Sequence, residues 1–339
     1  MRLGVYTELK YTADNRGVFA DQAFILFVCG LAQHVDQLVL FGRLGPEASE
    51  APYRIPEDVR FVPLPYYART SDPAGVLRAL RSAREVFESE LPHLDAVWLF
   101  GPHPVANAFA RLALRRGKQV FLGVRQDFPR YVRSRQTFRM RLWSGPAAYL
   151  LERQFRRLAR AAPAVVVGDE LGATYRKAGG QVLVSSFSLI SRADLVPLGE
   201  ALARTWRGEI RLLSVGRLDA EKNPLLLPEI LAGLRARAPW RLVVAGSGPL
   251  EDDVAKQAAE LGVSDALDLL GYVPFGPRLA ELYRSSHAFV HVSLTEGLPQ
   301  VLVEAQAAGL PIVATDVGGV RAALRGGTDG LLIPPGAAR

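Results

Sequence analysis

A two-domain α/β protein built on doubly wound parallel sheets is predicted from three observations. Short apolar, β-branched runs alternate with longer amphipathic runs along both halves of the chain, as a parallel sheet with crossover helices requires. The length, 339 residues, exceeds what one hydrophobic core usually supports. The composition, 49% hydrophobic and 22% charged without a biased repeat, fits a soluble α/β enzyme rather than a disordered or fibrous chain.

In the first half, strands are expected at 3–7, 37–41, 96–100, 119–124 and 164–167, with helices at 20–32, 74–89, 104–115 and 146–160 between them. Residues 47–73 carry five prolines and read as loop around one short strand at 59–62. The apolar run 24–29 is too short to span a bilayer and reads as a helix buried on a sheet. Composition shifts near 184–207, where a polar segment of little periodicity predicts an interdomain connection. The expected division is therefore a first Rossmann-like domain at 1–190, a linker at 191–208 and a second Rossmann-like domain at 209–339. In the second domain strands are expected at 210–215, 241–245, 266–269, 288–292 and 312–315. Helices are expected at 224–237, 250–260, 277–284 and 299–308. Such sheets bind ligands outside the carboxyl ends of their strands.

Cys29 is the only cysteine, so no intrachain disulfide and no cysteine-based metal site can form, as suits a reducing cytoplasm. Residues 1–7 read as a first strand and lack the features of a secretion signal. The net charge is +7, and the excess is concentrated: ten arginines lie between Arg125 and Arg160 against only Asp127 and Glu152. Tyr131, Phe138, Trp143, Tyr149 and Phe155 are interleaved with them, the pattern of an amphipathic surface for anionic lipid. An arginine-rich solvated helix is the alternative. No nucleic-acid motif accompanies the charge.

The chemistry-bearing text is at Glu296-Gly297-Leu298-Pro299-Gln300, which runs from the strand 288–292 into a helix. Gly297 is expected to take an unusual backbone angle, Pro299 to stand at the first helical position, and Gly309 with Pro311 to end the helix. Glu296 then lies on the loop and Glu304 two turns into the helix, both in reach of one ligand over the helix's amino end. Exposed N–H groups and the helix dipole favour a phosphate there. Between strand 210–215 and the next helix, Arg217 and Lys222 are expected near a helix start capped by Asn223 with Pro224 in the first turn. Gly246-Ser247-Gly248 makes a tight strand-to-helix turn. His287 and His291 read as surface or packing residues.

Taken together, Glu296 to Glu304, Ala305 to Gly309, Pro311 to Asp316 and Val317-Gly318-Gly319 closely resemble the signature of retaining glycosyltransferases of family 4, which have the two-domain GT-B fold with a central cleft. The resemblance is specific over 209–335 and looser before. It implies that Arg217 and Lys222 hold the diphosphate of a nucleoside diphosphate sugar, of UDP or GDP type, and stabilise the charge on the departing group. No metal or cofactor is then needed. It implies that Glu304 takes the ribose hydroxyls and that Glu296 stabilises the oxocarbenium-like transition state. Gly246 and Gly248 would line the nucleotide, Tyr272 and Val273 the base, and Gly297, Leu298, Pro299 and Gln300 the sugar and diphosphate. Gln300 stands where the family often has Asn.

In the first domain the resemblance implies an acceptor site for a hydroxyl compound such as a lipid-linked sugar, with Gly17 and Arg16 against the donor. Where many members carry a His after the strand 119–124, this chain has Arg125-Gln126-Asp127. His103 lies one strand earlier and reads as a loop residue. The implied setting is polysaccharide or glycolipid synthesis in the cytoplasm, peripheral on the inner face of a membrane, with no nucleic-acid partner. Family members continue beyond the equivalent of Arg339, so the chain reads as truncated at its carboxyl end. Alternative readings are a non-catalytic nucleotide-sugar-binding or partner protein and a GT-B nucleotide-sugar epimerase.

Overall fold

The computed structural model describes residues 1–45, 51–67, 73–129, 132 and 138–336, with the backbone alone for 73, 74, 76 and 138–144. The chain divides into two units, Met1–Leu189 and Ile190–Arg339.

The first unit runs β1 (Arg2–Asp14), β2 (Gly17–Ala20), α1 (Phe24–Gly30), β3 (Gln37–Leu44), β4 (Tyr53–Arg54), β5 (Val59–Leu64), α2 (Pro73–Glu90) and β6 (Ala96–Gly101). It continues with α3 (Pro104–Arg115), β7 (Gln119–Val124), α4 (Phe138–Leu158), β8 (Ala164–Val167), α5 (Asp169–Arg176) and β9 (Val182–Ser185). The parallel strands lie in the order β5-β3-β1-β6-β7-β8-β9, so the winding reverses between β1 and β6. Both sheet faces are covered, and the core is aromatic: the rings of Phe87 and Phe109 stack at 3.9 Å, with Phe41 edge-on to Phe87.

Two expectations change here. The first strand does not end at Thr7 but runs to Asp14 and folds back as a hairpin with β2, pairing Asp14 with Gly17. The helix expected from residue 20 starts only at Phe24, because Gly17–Ala20 is taken by β2. Within α1, Ile25, Val28 and Cys29 are buried, as expected for a helix lying on a sheet.

The second unit runs α6 (Leu198–Leu202), β10 (Ile210–Val215), α7 (Leu226–Arg235), β11 (Trp240–Ala245), α8 (Glu251–Glu260) and β12 (Leu267–Leu269). It continues with α9 (Pro277–Ser285), β13 (Ala288–His291), α10 (Gln300–Ala307), β14 (Ile312–Thr315), α11 (Val320–Ala323) and β15 (Leu331–Ile333). The six strands are all parallel, in the order β12-β11-β10-β13-β14-β15, with the switch point between β10 and β13. Alternate residues feed two cores: Leu213, Val243 and Phe289 on one face, Leu212, Leu242 and Val290 on the other. A sheet buried on both sides explains why these strands are apolar throughout rather than alternating.

Residues 191–208, expected as a connection, belong wholly to the second unit. The Val196 N–H donates to the Ala307 carbonyl, and the Arg204 guanidinium donates to the carbonyls of Ala308 and Gly309. These groups satisfy orphan carbonyls at the end of α10. The same end is closed by bonds from the Gly309 N–H to Gln306 and from the Leu310 N–H to Ala305, the paired pattern of a Schellman motif around Gly309 in the left-handed region.

Part of the arginine-rich stretch, Arg130, Tyr131, Arg133 and Arg135, lies outside the described residues. Along the described part of α4, Ala148, Glu152 and Phe155 face inward, while Tyr149, Leu150, Arg153 and Arg157 are exposed on one side. No helix among the described residues is long and apolar enough to cross a membrane.

Candidate functional site

The switch point of the second sheet places two loops side by side, one after β10 and one after β13. They are tied backbone to backbone, the Leu294 N–H donating to the Glu221 carbonyl at 2.8 Å. A Thr315 hydroxyl buried at the end of β14 donates to the Ser293 carbonyl at 2.6 Å and fixes the second loop from below. This brings Lys222 and Glu296, 74 residues apart in sequence, to 2.6 Å between Nζ and Oε1. The contact is largely shielded, with side-chain exposures of 21% for Lys222 and 8% for Glu296.

His291 joins them. It ends β13, is buried, and its Nε2 stands 2.9 Å from the same Glu296 oxygen. Burial works against the charge on Glu296, but the neighbouring His291 and Lys222 outweigh it and bring the carboxyl down to about 2. Glu296 is therefore ionised at any physiological pH.

The loop after β10 differs in detail from its sequence reading. Asn223 does not cap the next helix: with φ 51° and ψ 46° it closes a short 3-10 turn over Ala220–Lys222, and α7 begins only at Leu226. Asn tolerates the left-handed region that this turn requires. Arg217 folds onto Asp219 and Glu221 of its own loop, so both cations expected for a diphosphate are engaged by carboxylates.

Glycines hold the floor together by close approach. A Cβ on Gly246 would lie 1.7 Å from the Gly216 carbonyl oxygen, and one on Gly248 would lie 2.4 Å from that of Leu218. Gly319 is under the Glu296 loop in the same way: its Cβ would fall 1.5 Å from the Gly297 oxygen. Gly297 itself does not take the left-handed angle expected of it, and a Cβ there would meet nothing within 4 Å. Pro299 is buried and stands at the N-cap, one residue before the helical position expected for it; Gln300 starts α10 and Leu298 is half-buried.

Glu304 lies one turn further along α10, where its Oε2 accepts from the Tyr283 hydroxyl at 2.8 Å. Burial raises the Glu304 carboxyl above its ordinary value, and the Tyr283 bond only partly offsets this. It borders a cavity of about 290 Å³ whose walls include Phe275, Pro277, Leu279, Tyr283 and Ala308. Tyr272 is half-exposed and Val273 buried, beyond the Gly246 N–H to Gly271 carbonyl bond that joins the ends of β11 and β12.

A raised carboxyl makes a checkable contribution to stability. The native state prefers Glu304 protonated, so its ionisation costs stability once the pH rises above the unfolded value of about 4.3. The Glu304→Gln variant is expected to melt higher than the wild type at neutral pH, with the gap closing as the pH falls towards about 4. Thermal melts across that range check it; a Gln variant that melts lower at neutral pH contradicts it.

In the first unit, the loop residues Arg16 and Gly17 form the tip of the β1–β2 hairpin, and the Arg16 guanidinium bonds to Asp14 at 2.7 Å. A separate polar cluster gathers at the carboxyl ends of β1, β3, β6 and β7. His103, the N-cap of α3, is held between the Tyr6 and Tyr67 hydroxyls, each at 2.8 Å, and burial brings its imidazole down to about 3. Glu8 pairs with Arg125, and Arg43 donates to the backbone carbonyls of Glu8 and Tyr67. Burial works against the Glu8 charge as well, and Arg125 outweighs it and lowers the carboxyl.

Sequence reasoning passed over His291 and Tyr283. His291 was discoverable: it is a lone polar residue at the carboxyl end of an otherwise apolar strand beside the switch point, where a core histidine has little reason to be. Tyr283 carries no such signal, because a Tyr at helical spacing is ordinary core. Among the described residues no group of three or more His, Cys, Asp or Glu side chains is placed to hold a metal ion.

Residues 205–339 match the family described as glycosyl transferases group 1. The D-inositol 3-phosphate glycosyltransferase of Frankia alni is 42% identical over 134 residues, which cover 36% of this chain and 32% of that protein. The protein of the same name from Rhodococcus erythropolis is 36% identical over 134 residues, covering 37% and 30%. The chain thus spans about a third of the length of these curated relatives. Among solved structures, sucrose-phosphate synthase from Thermosynechococcus elongatus superposes with a TM-score of 0.71 at 18% identity, over 99% of this chain and 86% of that one. WaaG, a glycosyltransferase involved in lipopolysaccharide biosynthesis, gives 0.70 at 16% identity over 98% and 86%. These likenesses show the fold: two Rossmann-like units of the GT-B type, the second carrying a glycosyltransferase group 1 domain.

Proposed function

We propose that the protein is a retaining glycosyltransferase of family 4 that moves a hexose from a nucleoside diphosphate sugar to a hydroxyl acceptor. The observation that carries this is the convergence of Lys222 and Glu296 from the two loops at the switch point, with Glu304 on the helix that follows. A fixed ammonium beside an ionised carboxylate fits a reaction in which negative charge grows on a departing diphosphate and positive charge on the sugar. Glu304, whose Oε2 accepts from Tyr283, suits a ribose diol. Gly297 leaves open space where a sugar would pass. Anabaena HepE, a neighbour in fold with a TM-score of 0.65, has been crystallised in complex with UDP, which supports a nucleotide donor here.

Lys222→Ala is expected to weaken nucleoside diphosphate binding by about 10- to 100-fold, the loss of a charge-assisted contact worth roughly 1.5–3 kcal/mol. Calorimetry with UDP and GDP measures it; binding unchanged in the variant contradicts the assignment. Because Lys222 and Arg217 supply the countercharge, donor turnover is expected to persist in EDTA.

The acceptor is proposed to be a hydroxyl on a lipid-linked sugar, in the synthesis of a surface polysaccharide or glycolipid at the inner face of a membrane. The exposed side of α4, with Tyr149 and Leu150 leading into Arg153 and Arg157, supports such a surface. Vesicles containing acidic phospholipid should bind the protein at low salt and release it as salt rises, whereas equal binding to neutral vesicles would contradict an electrostatic contact.

A further inference from the structure

Lys222 cannot serve Glu296 and a diphosphate at full strength together. Its ammonium is bonded to Glu296, yet the function proposed above needs the same ammonium on the donor's phosphates. The two partners of Glu296 differ in their freedom to move. Lys222 sits on a short 3-10 turn, has a flexible four-carbon stem and is a fifth exposed. His291 is anchored on the central strand β13 and buried, with its Nε2 2.9 Å from Glu296 Oε1.

We propose that Lys222 has two partners in turn, Glu296 while the site is empty and the diphosphate once the donor binds, and that His291 is the positioning residue that holds Glu296 after Lys222 leaves. The exchange keeps a carboxylate and an arriving diphosphate from facing each other unscreened, since like charges in a shielded site repel strongly. With Lys222 gone, the His291 Nε2–H donates to Glu296 Oε1 and keeps the carboxylate in place beside the sugar. Glu296 sits on a loop rather than on a strand or helix, and an error of about 1 Å in its place costs up to about a hundredfold in rate.

The inference rests on the nucleotide-sugar reading, and one set of measurements separates the two. UDP and GDP binding is measured by calorimetry, donor turnover with UDP- and GDP-hexoses, and the His291 ring nitrogens by NMR, for the wild-type chain, His291→Leu and His291→Gln. Expected are nucleotide affinities within about twofold of one another for all three proteins and turnover lowered by up to about a hundredfold in His291→Leu. His291→Gln, whose amide N–H reaches the same place, should recover most of the loss. In the wild type the Nε2 signal of His291 should move when nucleoside diphosphate is added. His291→Leu with full turnover overturns the proposal, as does an affinity that falls in step with turnover, or an Nε2 signal that stays put while nucleotide binds. Absence of any nucleotide binding by the wild type would instead overturn the function itself.

Discussion

Glu296→Gln is expected to lower turnover by about 10²–10³ without weakening nucleotide binding, because it removes a charge needed mainly in the transition state. The substitution is close to isosteric, and the Lys222 ammonium can still donate to the amide oxygen, so the loops should stay together. The change also has a stability signature. The folded Glu296 carboxyl lies at about 2, below its ordinary value, so its contribution is present above the unfolded carboxyl value and is lost as the pH falls through that lower one. Wild type and Glu296→Gln should therefore differ most in melting temperature at neutral pH and converge under strong acid. A Glu296→Gln protein with full turnover would remove Glu296 from the chemistry.

The second large effect separates two neighbouring glycines. Gly319→Ala drives a Cβ to 1.5 Å from the Gly297 carbonyl oxygen, backbone against backbone, with no flexible side chain to give way. A destabilisation of about 3 kcal/mol is expected, together with loss of turnover, since the loop that must shift carries Glu296. Gly297→Ala meets no protein atom within 4 Å and needs no left-handed angle, so its melting temperature should match the wild type. If a donor passes over Gly297, the methyl should still weaken donor binding. Equal melting temperatures for both variants would mean that the floor of the site is looser than its geometry implies.

The contrast between these glycines also shows what the sequence could reveal. Strand-helix alternation places β10 to β14 and their helices to within a few residues, because a parallel sheet buried on both faces demands continuous apolar runs that loops cannot imitate. The long β1 and its hairpin were not legible: Glu8, Lys10 and Asp14 interrupt the apolar pattern, and only pairing with β2 makes 17–20 a strand rather than a helix start. At the site, Glu296, Glu304, Arg217 and Lys222 stand out through the resemblance of the surrounding text to the family signature, since their spacing alone also suits a helix cap or surface charge. Their pairing does not. That Lys222 faces Glu296 depends on the switch point and the bond from Leu294 to Glu221, which are tertiary facts. Gly297 was assigned to a backbone angle because sequence cannot tell a glycine that bends from one that leaves space.

The central claim is that Glu296 acts beside the anomeric carbon of a nucleotide-linked hexose. It is tested most directly by following UDP- and GDP-hexoses by proton NMR with wild type and Glu296→Gln. The account predicts release of nucleoside diphosphate by the wild type, with the transferred or hydrolysed sugar first appearing in the anomeric configuration of the donor, and near-silence from Glu296→Gln. Inverted sugar, or no diphosphate released from any donor by a wild-type protein that binds nucleotide, would contradict it.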